Sequence, residues 1–341
     1  MSYIQFDEHR RLDIIPLGRA AIDFNPVEIN CTLAESATFK KYLGGSPANI
    51  AVGLARLGKK AGFIGMVSDD RFGEFVVSYF QKEGIDISHI VKARHGESLG
   101  LTFTEIRSPS ESSLLMYRNS IADLSLEPGD VDEEYIKSTK LLLISGTALA
   151  QSPSREAALK AVELAKKTQT PLAFDIDYRP YNWKSGDELA VYCSAVARCS
   201  DIIFGSREEF DRMQSLFGKD ADDRQTADRW FGFGAKILII KHGKEGSCVF
   251  TSENRSYRVK PLPIKKLKGF GGGDAYASAF LYGLLQGWDV KHSLEFGNAS
   301  ASLLVASHSC SDAMPSAGQI EQYIKECERK YGTDVTKVEE S

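Results

Sequence analysis

The chain lacks the short motifs that mark several common enzyme classes and sites. No G-x-x-x-x-G-K-[ST] segment is present, which excludes a P-loop, and no H-R-D or D-F-G set is present, which excludes a protein kinase. No G-x-G-x-x-G follows the first predicted strand, so an NAD-dependent oxidoreductase is poorly supported. The six cysteines form no C-x-x-C pair and the six histidines show no metal-ligand spacing, so neither a zinc site nor a disulfide framework is indicated.

Long hydrophobic runs and an excess of positive charge are also missing. The 42 basic and 46 acidic residues give a net charge of −4, so no basic surface favours nucleic acid. Apolar runs such as residues 141–144 are too short to span a membrane, and the polar residues 1–11 lack the apolar core of a signal peptide. We therefore expect a cytoplasmic protein with reduced thiols and with neither nucleic acid nor membrane as a partner.

Short apolar runs alternate with helical patterns along the 341 residues, of which 43% are hydrophobic, ample for a large core. Such alternation with short links is typical of an α/β fold whose central, mostly parallel sheet is flanked by helices. The predicted strands are 12–17, 61–67, 140–144, 172–175, 201–204 and 236–241. The predicted helices are 48–57, 73–83, 154–167, 188–199, 208–217 and 227–233.

Two stretches interrupt this alternation, at residues 26–42 and 98–124. They are rich in β-branched and aromatic residues and show no helical pattern, which predicts hairpin strands inserted into the α/β frame. Such insertions at strand ends form either a small β lid over a ligand crevice or a surface sheet without that role. We expect one domain over residues 1–330 and a polar C-terminal tail at 331–341.

The most informative segment is Gly269–Asp274, where three consecutive glycines meet an aspartate at the start of a helical pattern. Glycine lets the backbone approach a ligand closely, and a helix start offers unpaired N–H groups and partial positive charge. Gly271, Gly272 and Gly273 would then form an anion hole, and Asp274 would accept a proton from an alcohol during its phosphorylation. The alternative is a helix capped by Asp274 after a flexible loop.

Polar residues near other predicted strand and helix ends are candidates for ligand binding. Gly44, Gly45 and Asn49 precede or begin a helix and suit a polyol, or they form an ordinary loop. Asp23 follows the first strand, where a carboxylate either binds vicinal hydroxyls or stabilises a turn. Arg179 closes another strand and faces either an anionic substrate or a neighbouring acid.

Two further segments have a ligand interpretation and a structural one. Glu209 would hold magnesium, most simply through water, or would stabilise the first turn of a helix. The glycine-rich segment 242–246, after the strand 236–241, would border a nucleotide or would be a simple hairpin turn.

Taken together, the glycine pair with Asn49 and the Gly271–Asp274 segment resemble the N-terminal and C-terminal signatures of the PfkB/ribokinase family of carbohydrate kinases. The resemblance extends over nearly the whole chain and implies a ribokinase-like domain that uses ATP and Mg²⁺. Segments 117–119, 174–180 and 268–271 resemble members that act on the 6-hydroxyl of 5-dehydro-2-deoxy-D-gluconate in myo-inositol catabolism. The alternatives are 2-dehydro-3-deoxygluconate, fructose or another ketose as substrate, or a sensor without catalytic activity on the same fold.

The resemblance also implies roles for individual residues. It implies Asp274 as catalytic base and Gly271, Gly272 and Gly273 as the anion hole. The implied substrate-binding residues are Asp23, Gly45, Asn49, Arg118 and Arg179. The implied nucleotide contacts are Lys241, Gly243, Gly246, Gly271, Gly273 and Asn298, with Glu209 as the magnesium-linked acid. A homodimer that pairs through the lid is expected on the same ground.

The chain departs from the family pattern at three positions. Ser206 stands where the N-x-x-E motif has asparagine, and the D-T-x-G lead-in is replaced by Lys268–Gly271, without the aspartate associated with a monovalent cation. Gly272 replaces the alanine of G-A-G-D. We therefore assign no potassium site.

Overall fold

The fold is given by a computed structural model that describes residues 3–108 and 111–340. Strands and helices alternate through most of it. The described strands are β1 (Leu12–Leu17), β2 (Ala21–Pro26), β3 (Phe39–Gly44), β4 (Gly62–Val67), β5 (Asp86–Lys92), β6 (Leu101–Ser108), β7 (Glu111–Tyr117), β8 (Thr139–Ser145), β9 (Leu172–Asp175), β10 (Ile202–Ser206), β11 (Ile237–Lys241), β12 (Ser247–Thr251), β13 (Ser256–Val259) and β14 (Glu339–Glu340). The described helices are α1 (Ser46–Arg56), α2 (Arg71–Lys82), α3 (Glu133–Lys137), α4 (Ser154–Lys167), α5 (Gly186–Ala197), α6 (Arg207–Met213), α7 (Asp223–Gly232), α8 (Gly272–Leu285), α9 (Val290–Val305) and α10 (Ala317–Tyr331).

Ten strands form the large sheet in the order β14-β13-β12-β11-β10-β9-β8-β1-β4-β5. The strands from β11 to β5 run parallel, whereas β12, β13 and β14 are antiparallel. Neighbouring side chains of β1 point to opposite faces, so Ile14 joins one core cluster and Ile15 the other. The prediction of a mostly parallel sheet flanked by helices is thus confirmed, and the carboxyl ends of its parallel strands lie along one edge.

Most predicted elements agree with the structure within a few residues, and two differences have a clear physical cause. The predicted helix 208–217 ends earlier, at Met213, and a short 3₁₀ turn follows it. The helix stops there because the buried side-chain amide of Gln214 forms hydrogen bonds with Thr226 and Trp230. The strand β5 was not predicted, because it alternates partly buried and exposed residues without a long apolar run.

A second sheet of four strands, in the order β3-β2-β6-β7, lies in the regions that interrupt the alternation. The stretch 98–124 contains β6 and β7, as an antiparallel pair. The stretch 26–42 contains β3, while its partner β2 ends at Pro26 and residues 27–38 form the connection. We call this four-stranded unit the small sheet.

The C-terminal residues extend the large sheet. After α10 ends at Tyr331, the chain buries Val338 and pairs Glu339–Glu340 with β13. Among the helices in the described ranges, none has the length and apolar content needed to cross a membrane.

Candidate active site

Two cavities meet at the glycine loop that precedes α8. One, of about 410 Å³, is bordered by α9 through Asn298, and we call it the α9-side cavity. The other, of about 500 Å³, is bordered by residues 112–114 of β7, and we call it the β7-side cavity. Both are lined by Gly271, Gly273 and the strand-end residue Lys241, so a ligand in one cavity adjoins a ligand in the other.

The glycine loop needs glycine at its last position before the helix. Gly271 is the N-cap of α8 and has φ +84°, a left-handed conformation that side chains disfavour. A Cβ at Gly271 would lie 2.4 Å from Cys310 Sγ, so a side chain would also displace its neighbour. The loop thereby presents the free N–H groups of a 14-residue helix at the junction of the cavities, next to the Lys241 ammonium.

Asp274 is the third residue of α8 and lines the β7-side cavity. Its side chain does not cap the helix, so the capped-helix alternative is wrong. Instead, Oδ1 accepts a hydrogen bond from Ser46 Oγ at 2.8 Å and Oδ2 accepts one from Asn49 Nδ2 at 2.8 Å. Burial raises the pKa of Asp274, the charge of Asp177 raises it further, and the two hydrogen bonds oppose the rise. The carboxylate is therefore a stronger base than an exposed aspartate.

Sequence reasoning missed Ser46, which connects two acids of the site. Its hydroxyl lies 2.8 Å from Asp274 Oδ1 and 3.1 Å from Asp175 Oδ2. Burial raises the pKa of Asp175 to about 7, although the charge of Lys241, 3.9 Å away, opposes the rise. The only signal in the sequence was a serine between a glycine pair and a helix-starting proline, which is also common in ordinary loops.

Asp177 and Arg179 form the local ion pair that was one of the alternatives for this segment. Arg179 Nη2 lies 2.7 Å from Asp177 Oδ1, and Ser145 Oγ donates to Asp177 Oδ2 at 3.1 Å. Burial alone would raise the pKa of Asp177, but the charges of Arg179 and Arg19 outweigh it and lower that pKa. Arg179 nevertheless lines the β7-side cavity and keeps its Nε buried without a partner, so it retains a donor for a ligand.

Glu209 has the structural role that was weighed against a metal role. Its Oε2 accepts from the N–H of Ser206 at 2.6 Å, and Ser206 Oγ accepts from the Glu209 N–H in return, so the two form a capping box. Glu209 Oε1 accepts from the Tyr178 N–H at 2.8 Å. The carboxylate also lines the β7-side cavity, so its remaining lone pairs face that space.

The segment after β11 is a hairpin turn that also lines a cavity. A 3₁₀ turn at Gly243–Glu245 joins β11 to β12, and both Gly243 and Gly246 line the α9-side cavity. Gly246 has a packing reason of its own, since a Cβ there would lie 1.9 Å from the Val259 carbonyl oxygen. On the opposite wall, Asn298 Nδ2 donates to the Lys260 carbonyl at 2.8 Å.

Four of the predicted substrate-binding residues do not line either cavity. Asn49 bonds Asp274 directly, and Gly45 is the N-cap of α1. Asp23 lies on β2. Burial raises the pKa of its carboxyl, and the charge of Arg19 only partly opposes that rise. Arg118 binds Asp123 Oδ2 at 2.7 Å, and its Nη1 is buried without a partner.

A fully buried lysine joins the glycine loop to the chain beyond α9. Lys268 Nζ donates to the Ser309 carbonyl at 2.7 Å, contacts Cys310 Sγ at 3.3 Å and lies 4.8 Å from the Phe270 ring centroid. This burial could not be predicted, because Lys268 closes a lysine-rich stretch, residues 265–268, that is typical of an exposed loop.

The chain is similar to known proteins over nearly its whole length. The pfkB family carbohydrate kinase domain matches residues 12–317. A protein of Clostridium perfringens named 5-dehydro-2-deoxygluconokinase is 65% identical over 99% of this chain and 100% of its own length. Proteins with the same name are 60% identical in Clostridium tetani, over 99% of this chain and 100% of the relative, and 51% identical in Geobacillus kaustophilus, over 96% and 97%.

Solved structures confirm the fold. A putative ribokinase II from E. coli in complex with ATP and Mg²⁺ has a TM-score of 0.82 and 21% identity, covering 92% of this chain and 99% of its own. A fructokinase with bound ATP from Xylella fastidiosa has a TM-score of 0.81 and 23% identity, covering 92% and 98%. The fold, the family match and the full-length relatives lead to one conclusion: the chain belongs to the pfkB family of carbohydrate kinases.

Proposed function

We propose that the protein is an ATP-dependent sugar-acid kinase that phosphorylates the 6-hydroxyl of 5-dehydro-2-deoxy-D-gluconate. The substrate is supported by the name shared by relatives that are 51–65% identical over nearly the full chain. The observation that carries the chemistry is the half-buried carboxylate of Asp274, which lies at the N-terminus of α8 where the two cavities meet.

The two cavities suit the two substrates. ATP would occupy the α9-side cavity, with Lys241, Gly243, Gly246 and Asn298 along its walls and its terminal phosphate at Gly271–Gly273. The sugar acid would occupy the β7-side cavity, with its 6-hydroxyl directed at Asp274. This arrangement aligns the attacking oxygen with the γ-phosphorus, and positioning provides much of the catalysis in phosphoryl transfer.

Asp274 would accept the proton of the 6-hydroxyl as the oxygen bonds the γ-phosphorus and the bond to the β-phosphate oxygen breaks. Its raised pKa makes it a better proton acceptor than an exposed aspartate. The hydrogen bonds from Ser46 and Asn49 fix the carboxylate in one orientation. The N–H groups of the glycine loop and the Lys241 ammonium would stabilise the charge on the transferring group.

The acids of the β7-side cavity fit a magnesium ion bound with ATP. Asp175, Asp177 and Glu209 all line this cavity. Burial raises the pKa of Asp175, and the negative charges of Asp177 and Glu209 raise it further. A divalent cation would relieve that excess of negative charge. Glu209 would hold the ion through water, since both its oxygens already accept a backbone N–H. When bound, magnesium offsets the phosphate charge.

We also propose that the small sheet is the lid of the kinase domain at residues 1–330, and that two copies pair through it. One face of the sheet carries Phe24 stacked on Phe103 at 5.0 Å, with the exposed Leu115 and Tyr117 beside them. Dimerisation through this face would remove these side chains from water. Sedimentation should show a dimer for the wild type and a monomer for Leu115→Glu. The tail at 331–341 would add its edge strand and the buried side chain of Val338 to this domain.

The cellular setting completes the proposal. The six cysteines are free, as expected of a reducing compartment, and we place the enzyme in the cytoplasm. We assign the reaction to myo-inositol catabolism on the strength of the substrate named for the relatives.

A substrate panel with coupled detection of ADP tests the proposal. The enzyme should show its highest kcat/KM with 5-dehydro-2-deoxy-D-gluconate, and lower values with 2-dehydro-3-deoxygluconate and fructose. Equal kcat/KM on fructose and on the deoxy keto acid would refute the acid-sugar assignment. ATP and sugar binding without turnover would refute the kinase assignment.

A further inference from the structure

One buried arginine of this site has no anionic partner. Arg19 lies between β1 and β2 and is 5% exposed. Its Nη1 contacts Met116 Sδ at 3.7 Å, a weak acceptor, and its Nε is buried without a hydrogen bond. Across residues 3–108 and 111–340, no carboxylate lies within 4.0 Å of its guanidinium. A buried charge without a partner is costly, so this arginine needs a reason to be kept.

Two neighbouring arginines also have unused donors. Arg118 Nη1 and Arg179 Nε are buried and unpaired, although each side chain binds one acid, Asp123 and Asp177 respectively. Burial lowers the pKa of Arg19 and the nearby charge of Arg118 lowers it further, whereas the charge of Asp177 opposes this and that of Arg179 adds to it. The three guanidinium groups are thus close enough to repel one another. Arg118 and Arg179 each form an ion pair, whereas Arg19 forms none within residues 3–108 and 111–340.

A chain of contacts connects Arg19 with the β7-side cavity. Tyr181 lines this cavity, and its hydroxyl bonds the same Met116 sulphur that Arg19 contacts. Asp23 also feels the charge of Arg19, but burial raises the pKa of that carboxyl and no ion pair forms. These contacts place the Arg19 guanidinium one side chain, Met116, away from the cavity wall at Tyr181, where the sugar acid would bind.

We propose that Arg19 binds the carboxylate of the sugar acid, together with the unpaired N–H groups of Arg118 and Arg179. This inference rests on the proposed function and names the residue that selects an acid over a neutral ketose. A planar guanidinium binds a carboxylate through two parallel hydrogen bonds. A neutral ketose would leave the buried donors unpaired, and a site of this kind rejects such an analogue strongly.

The test compares Arg19→Met with Arg155→Met as a matched control. Arg155 is 8% exposed, but it donates to the Leu149 and Ala150 carbonyls and to Glu188. Arg19→Met should raise the KM for the sugar acid by about 100-fold or more, keep the KM for ATP within about twofold, and leave the apo Tm equal or higher. Arg155→Met should lower the Tm and leave the KM for the acid unchanged. Arg19→Lys should fall between wild type and Arg19→Met.

Three results would overturn the inference. An unchanged KM for the acid in Arg19→Met, with wild-type turnover of that acid, would remove Arg19 from substrate binding and leave the proposed function standing. A lower Tm together with equal losses for acid and ATP would make Arg19 structural. If the wild type itself phosphorylates only neutral sugars, the proposed function fails first, and the role of Arg19 fails with it.

Discussion

The two cavities differ in how their polar side chains are satisfied. On the α9 side, Asn298 donates to the Lys260 carbonyl and Lys268 donates to the Ser309 carbonyl, so these two side chains are paired without a ligand. Around the β7-side cavity, Arg179 Nε, Asn49 Oδ1 and Arg19 Nε are buried without partners. Because unpaired buried groups are costly, they indicate where a specific ligand supplies the missing bonds. We therefore expect substrate selection on the β7 side, and we expect the α9 side to hold its ligand mainly by shape and backbone.

The strongest test of this contrast is Asp274→Asn. Loss of the proton acceptor should lower kcat by roughly 10²–10⁴-fold while the Kd for ATP stays near the wild-type value, measured by coupled assay and calorimetry. The Tm should not fall, because the substitution removes a partly buried charge whose pKa is already raised.

Asp220→Asn is the control for that variant. Asp220 is also buried, but Arg229 and Thr226 outweigh its burial and lower the pKa of its carboxyl. This variant should lose stability and keep its kcat. A wild-type kcat in Asp274→Asn would show that Asp274 is not the proton acceptor.

The glycine loop shared by the cavities gives the next largest effect. Gly271→Ala combines a left-handed conformation, which costs about 1–2 kcal/mol, with a Cβ close to Cys310 Sγ. We expect a lower Tm. We also expect kcat to fall by more than the unfolded fraction of the variant can explain. Gly58→Ala has φ +88° but open space around its Cβ, so it should lower the Tm and leave kcat unchanged. Equal kcat in both variants would show that the loop tolerates displacement.

The pH dependence follows from the raised pKa of Asp274. The carboxyl must be ionised to accept a proton, so kcat/KM should rise with pH through an inflection above the ordinary aspartate value of 3.8. In the folded state the proton binds more tightly than in the unfolded state, so this group stabilises the fold at low pH and that stabilisation is lost as pH rises through the folded pKa. Urea unfolding should therefore show wild type losing stability relative to Asp274→Asn as pH increases.

Ser46→Ala should give the smallest effect. The hydroxyl donates to Asp274, and its hydrogen bond lowers the pKa of that carboxyl. Its removal should shift the inflection in kcat/KM to higher pH and lower kcat by about tenfold, since one bond worth about 1.5 kcal/mol holds the carboxylate. An unshifted pH profile would show that Asn49 alone orients Asp274.

The sequence predicted the frame of the site better than its side-chain contacts. The strand Leu172–Asp175 and the helix Ser154–Lys167 have the predicted bounds, because their apolar periods match their burial. The glycine loop could be located because few segments place three glycines before a helix. Arg19, Ser46 and Lys268 were missed because their importance comes from burial among distant elements, which local composition does not encode. The strands β13 and β14, at one end of the large sheet, are short and partly exposed, so they lack a strong pattern.

The position of the phosphate in the product tests the central claim most directly. Incubation of the wild type with ATP, magnesium and 5-dehydro-2-deoxy-D-gluconate, followed by ³¹P–¹H correlation NMR, should show phosphorus coupled to the two protons at C6. Phosphate at any other carbon, or no phosphorylated acid while a neutral ketose is consumed, would contradict the placement of the 6-hydroxyl at Asp274.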